Sequence, residues 1–223
     1  MKANFNKSQI GAGIFTIPEI SELLGIKQSK VRRYLSNFLD ERVGKKLFEQ
    51  TYSWKEGTSK AVNFLGLIEL YTLFQLQDFG ISTQKILKAR ETIAKDTNLP
   101  YPFASSTILT DGRNILYQIE DATINANVKR QTILIDLLKE FFKKIEFNDD
   151  KVATRFYPSG KKSCIVIDPH HQFGQPVIKG TNFTANAIWS LYESGEHLSA
   201  IKILYSLSEK QINDVIGFVR KAA

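Results

Sequence analysis

The stretch FTIPEISELLGIKQSKVRRYLSNFL, residues 15–39, decides how the first part of the chain is read. Thr16 suits a helix cap, Pro18 sits in the first turn where a missing N–H costs nothing, and Glu19 stands three residues after Thr16 as in a capping box. Ile20, Leu23 and Leu24 then form one apolar face. Gly25 ends that helix, because glycine accepts the left-handed backbone of a sharp stop. A second helix is predicted from about Gln28. Its buried side is Val31, Leu35 and Phe38, and its outer side is Gln28, Lys30, Arg32, Arg33 and Asn37. A short helix, a tight turn and a second helix with a cationic, amide-bearing outer face predict a helix-turn-helix. An αα-hairpin with a solvated basic face fits the same pattern.

Outward from this stretch, Phe48, Thr51, Tyr52 and Trp54 suit a strand, and KEGTS at 55–59 is turn chemistry. A hairpin there would be a wing bearing Lys45, Lys46, Lys55 and Lys60, or a surface hairpin kept soluble by lysine. The DNA-contact candidates are therefore Gln28, Ser29, Lys30, Arg32, Arg33, Asn37, Lys45, Lys46, Lys55 and Lys60. Arg and Lys meet phosphates, and Arg, Asn and Gln also read base edges in the major groove.

The distribution of charge agrees. The chain carries +7 in all; residues 1–60 hold 11 lysines and arginines against 6 acids, and the other 163 hold 19 against 17. A basic first quarter on a nearly neutral remainder predicts a module that meets a polyanion. The single cysteine excludes an intramolecular disulfide, no apolar run approaches the roughly 18 residues of a membrane span, and the first residues lack the apolar stretch of a secretory signal. A cytoplasmic protein is expected.

Residues 64–78 are apolar nearly all round and predict a buried helix, with another at about 82–95. Asp111-Gly112 predicts a hairpin turn, and Ile133, Leu134, Leu137, Leu138, Phe141, Phe142 and Ile145 mark a long amphipathic helix that packs within the chain or on a second copy. The run from Lys144 to Pro158 reads as strand, acidic turn, strand. Towards the end, ANAIWSLYESG, HLSAIKILYSL and EKQINDVIGFVRKA read as three helices. Thr181 or Thr184 would cap the first and Ser208 the last. Leu198, Ile201, Leu204, Ile212, Val215, Ile216 and Val219 would form the buried faces. The expected fold is thus mainly α with small β elements (α+β). It comprises an N-terminal winged helix-turn-helix over 1–98, a middle hairpin and long helix over 99–160, and a C-terminal three-helix unit over 161–223 with helix-turn-helix-like spacing.

One segment invites a chemical reading: CIVIDPHHQFGQPVIKGTNF, residues 164–183. His170 and His171 are adjacent, so on a strand they point to opposite faces and on a helix about 100° apart. Zinc prefers spaced pairs. Cys164 lies in a strand-like run and reads as a buried, inert thiol. Asp168-Pro169 reads as a turn start rather than as the acid of a triad. Pro169, Gly174, Pro176 and Gly180 instead predict a stiff loop, anchored to a core by Phe173, Val177, Ile178 and Phe183. No catalytic residue, cofactor site or metal site is assigned, and the chain is not expected to be an enzyme.

Two resemblances follow from these residues. TIPEISELLGIKQSKVRRYL with FLGLIELYTLFQLQDFGISTQKI resembles the winged-helix head of MerR-type regulators over roughly 14–95, with Gly80 at the joint of the later helix pair. It departs from them in not reading on into a long dimerising coiled coil. The run IEFNDDKVATRFYP and the segment from Ile165 to Phe218 are similar to a bacterial and archaeal domain long catalogued only as of unknown function. Asp168-Pro169, Phe173-Gly174, Pro176, Gly180-Thr181, Gly195, Tyr205 and Gln211-Ile212 carry that likeness. Members resemble VapB-like antitoxins encoded beside a PIN-like ribonuclease toxin. The likeness implies a homodimeric, DNA-binding antitoxin and autorepressor of a type II toxin-antitoxin system, partnered by double-stranded promoter DNA and the toxin. A MerR-like regulator responding to a small molecule is the alternative.

Overall fold

A computed structural model describes residues 11–48, 51–106 and 142–222. Its first part is built as the residues of 15–39 require. Strand β1 (Phe15–Thr16) leads into helix α1 (Ile17–Leu24), whose start is held by the Glu19 carboxylate accepting from Thr16 N and Oγ1, each at 2.7 Å. Gly25 closes α1 at φ +65°, in the left-handed region. Helix α2 (Gln28–Arg33) continues in wider π-type turns over Tyr34–Phe48. Val31, Leu35, Phe38 and Leu39 are buried along its inner side, each contributing about 1.5–3 kcal/mol of transfer free energy.

Strands β2 (Ser53–Glu56) and β3 (Ser59–Val62) form the hairpin, and β1 pairs with β3 to complete an antiparallel sheet in the order β1-β3-β2. The hairpin starts later than the sequence predicts. Phe48 is helical, not extended, because α2 runs on, and strand pairing begins at Ser53 opposite Val62. Asn63 caps helix α3 (Phe64–Asp78) by accepting from Gly66 N at 2.8 Å. Helix α3 is buried nearly all round and is followed by α4 (Thr83–Thr97). The apolar core of this part gathers around α3 and takes in Phe142, Ile145, Phe156 and Ile167 from the later chain.

The later chain begins with the antiparallel pair β4 (Ile145–Phe147) and β5 (Ala153–Phe156), then β6 (Ile165–Val166) and β7 (Val177–Ile178). Three helices follow, α5 (Ala185–Glu193), α6 (Leu198–Leu204) and α7 (Glu209–Ala222). Thr184, not Thr181, caps α5, and Ser208 caps α7 with Gln211 closing the box. Ile165, Ile178, Ile188, Ile201, Ile212 and Val215 form a second core, and Leu23 of α1 packs onto it. Thus α1 lies between both cores.

Two readings of buried faces are corrected. Leu198 and Leu204 are exposed, at 37% and 75%, and only Ile201 of that trio is buried. With only seven residues, α6 turns a single position into the core. Phe173 is 71% exposed rather than an anchor. Its φ of +55° and that of Gly174 at +85° turn the ring outward while its carbonyl accepts from Ile14 N at 3.0 Å. The expected Asp111-Gly112 hairpin and the long helix from Ile133 to Phe141 lie outside the described residues.

Candidate nucleic-acid interface

The exposed side of α2 gathers its polar residues in one place. Gln28, Ser29, Arg32, Arg33 and Asn37 are all exposed, and with Ser36 they line a shallow open hollow. Spacing explains the grouping, since 29, 32, 33 and 36 recur at three and four residues on one helical face. Ser36 was not among the sequence candidates, although its position four residues after Arg32 would have found it. A second hollow adjoins the first, between α2 and the hairpin, where Arg32, Ser36, Lys45, Trp54, Lys55 and Lys60 meet. Trp54 is half-buried, its Nε1 donating to Glu56 Oε2 at 3.2 Å.

The candidates differ in how free they are. Lys55 is exposed on β2. Lys45 is paired with Glu41 one turn back, and Lys60 donates to Asp40 Oδ2 at 2.9 Å. Lys30 departs from the expected outer face: it is half-buried, with Nζ 5.0 Å from the Phe74 ring centroid, and it does not line the hollow. The side chain of Lys46 lies outside the described residues.

Buried polar groups fix the hairpin against the helices. The Asp40 carboxylate is buried and accepts from Tyr52 N and Ser53 N, both at 2.9 Å, and from Ser53 Oγ at 2.6 Å. Beneath it, Glu69 of α3 and Arg90 of α4 form a fully buried pair at 2.6 Å. Burial pushes the Glu69 carboxyl above the ordinary range, against the pull of Arg90 and of the Phe103 N–H. The Arg90 guanidinium lies 5.3 Å from the Tyr52 ring centroid, and both Arg90 Nη2 and Tyr52 Oη donate to Pro100 O. Burial raises the Tyr52 phenol to about 12, so it stays a neutral donor. This ion pair, invisible to periodicity arguments, seats Tyr52, the residue just before β2.

The His170-His171 loop has a different task. His171 Nε2 lies 3.0 Å from Thr181 O, whereas a Cβ on Gly11 would stand 2.5 Å from His170 Nδ1, so the two rings face different partners. Asp168 accepts from Arg155 Nε at 2.8 Å and from His170 N at 2.9 Å, which makes it the turn-forming acid expected. Among the described residues no group of three His, Cys, Asp or Glu side chains is arranged to hold a metal ion. Cys164 is half-buried, and burial first, then the neighbouring Asp214, pushes its thiol up to about 11. The loop ties the later chain to the first described residues: Phe173 O accepts from Ile14 N, and Gly13 and Gly174 pack against the Phe15 ring. No helix among the described residues is long and apolar enough to cross a membrane.

Comparison with known proteins places these features in context. Residues 165–219 match the family described as "Protein of unknown function (DUF433)". Over 176 residues the chain is 22% identical to "Putative antitoxin VapB45" of Mycobacterium tuberculosis, covering 73% of each protein. It also resembles the crystal structure of Rv2018 from Mycobacterium tuberculosis with a TM-score of 0.73 at 18% identity, over 93% of this chain and 98% of that one. At that identity the structural likeness establishes the shared α+β fold, and the sequence relative supports kinship with VapB-like antitoxins.

Proposed function

We propose that this protein is a DNA-binding antitoxin that represses its own promoter and neutralises a PIN-like ribonuclease toxin in the cytoplasm. The observation that carries the reading is the exposed stripe Gln28, Ser29, Arg32, Arg33 and Asn37, with half-buried Ser36 beside it, on the second helix of a helix-turn-helix, flanked by a lysine-bearing hairpin. Arginines and amides at those places suit phosphates and base edges, and the hairpin suits the adjoining backbone. Residues 1–98 would form the reading head. Residues 161–223 would hold the toxin, a role supported by the exposed apolar pair Ile203 and Leu204 on α6 and by the similarity to a VapB antitoxin. A two-fold homodimer, built in part by residues 99–160, would match a palindromic operator.

The test is titration of the purified chain with DNA from its own promoter over a salt series. The wild type is expected to lose affinity steeply as salt rises. Arg32→Ala and Arg33→Ala are each expected to weaken binding roughly tenfold or more and to flatten the salt slope by about one phosphate equivalent, with the melting temperature unchanged. Unaltered affinity and slope in the double variant would remove α2 from the interface. Co-expression with the neighbouring nuclease gene, followed by co-purification, tests the toxin assignment separately.

A further inference from the structure

Where α1 and its turn meet α7, a cleft of about 180 Å³ opens between the two cores. Its apolar floor is Leu23, Tyr71, Phe74, Phe156 and Phe218. Two lysines, Lys144 and Lys221, line it. Lys144 is half-buried, and among the described residues its Nζ donates only to the Pro158 carbonyl, at 3.3 Å. Burial holds its ammonium below the ordinary lysine range, and the positive charge of Lys221 adds to that. Neither lysine forms an ion pair among the described residues. The carboxylate lining the same cleft, Glu22 on α1, is exposed and pairs with neither. Outward, the cleft continues into a hollow that adds Lys162 and the Lys210–Asp214 pair.

Two like charges drawn together over an aromatic floor are unfavourable until an anion joins them. A cleft at the junction of two cores is also where small ligands bind most often. The volume slightly exceeds the roughly 150 Å³ void known to admit a benzene ring. From this juxtaposition we infer that the cleft binds a small amphiphilic carboxylate, its ring-sized apolar body on Phe74, Phe156 and Phe218 and its anionic group between Lys144 and Lys221. The outer lysines would raise the local concentration of such an anion.

The binding itself does not rest on the DNA reading. Only its consequence does: a ligand wedged between α1 and α7 would reset the angle of the helix-turn-helix and change promoter affinity. The probe is benzoate, followed by ligand-observed NMR and calorimetry on the full chain, with benzamide as the neutral analogue and inorganic phosphate as the anion without a ring. Saturable benzoate binding at roughly millimolar concentration is expected. It should fall at least about tenfold in Lys144→Met and severalfold in Lys221→Met, while benzamide and phosphate bind more weakly than benzoate. Lys221 is exposed, so its variant reads binding even if Lys144→Met unfolds. Benzoate that fails to saturate, benzamide that binds equally, or phosphate that matches benzoate would each overturn the proposal. A chain that binds benzoate but no promoter DNA would sink the reading of α2 and leave the cleft standing.

Discussion

Gly174 lies directly against the Phe15 ring: a Cβ placed on it would stand 2.6 Å from Phe15 Cζ. Its φ is +85°, so a side chain would meet both a steric clash and a disfavoured backbone. Gly174→Ala is expected to lower stability by about 2 kcal/mol or more. Gly180 has a similar φ of +81° with nothing within 4 Å, so Gly180→Ala should cost only about 1 kcal/mol, for backbone strain alone. Urea denaturation of both variants separates contact from conformation. Equal losses would mean that the loop does not press on Phe15.

Asp40 ties the hairpin to α2 through two backbone N–H groups, one hydroxyl and one lysine. Asp40→Ala leaves those buried donors unpaired and should cost about 3 kcal/mol, and Asp40→Asn, which retains the acceptor, about 1 kcal/mol. Hydrogen exchange at Tyr52 and Ser53 is expected to accelerate in both, more in the alanine variant. Unchanged protection would show that strand pairing alone holds the hairpin.

The Glu69–Arg90 pair should behave as a unit. Arg90→Met alone strands a buried carboxylate and is expected to cost about 3–5 kcal/mol. Glu69→Met together with Arg90→Met should recover most of that loss, because two buried charges then disappear together. A double-mutant cycle on denaturation free energies measures the coupling. Additive losses would contradict the pairing.

Cys164 should be slow to alkylate in the folded chain. With its thiol raised to about 11, the thiolate fraction at pH 8 falls roughly a hundredfold below that of a free cysteine. Iodoacetamide trapping at pH 8, with and without urea, reads this ratio. The native rate should rise about tenfold per pH unit up to the thiol's own pKa. A native rate equal to the unfolded one would place the thiol in solvent.

His170 and His171 face different partners, so zinc is not expected to stabilise the chain. Addition of zinc at micromolar concentration should leave the melting temperature unmoved in wild type and in the double alanine variant alike. His171→Ala should cost about 1 kcal/mol through the lost contact with Thr181 O. A zinc-dependent rise in melting temperature that disappears in the double variant would restore the metal reading.

Much of the helix-turn-helix could be read directly. Thr16, Glu19 and Gly25 act through neighbours three or four residues away, and the stripe from Gln28 to Asn37 follows from helical period alone. Lys30 shows where that reasoning stops. Its place on the helix favours the outer face, but the Phe74 ring, 44 positions later in the chain, draws its ammonium aside. Leu198, Leu204 and Phe173 fail for the same reason: an apolar residue is buried only if another element arrives to cover it, and periodicity says nothing of arrivals.

Taken by itself, the sequence determined the α+β class, the helix caps, the turn at Gly25, the basic outer face of α2 and the glycine turns in the loop after Cys164. All of these depend on contacts within a turn or two of chain. Only the tertiary structure decided that Arg90 and Glu69 meet under the hairpin, that Gly174 abuts Phe15, and that Lys144 and Lys221 share one cleft. Those pairs are separated by 21 to 159 positions, and they are brought together by the packing of two cores on α1 rather than by any local preference.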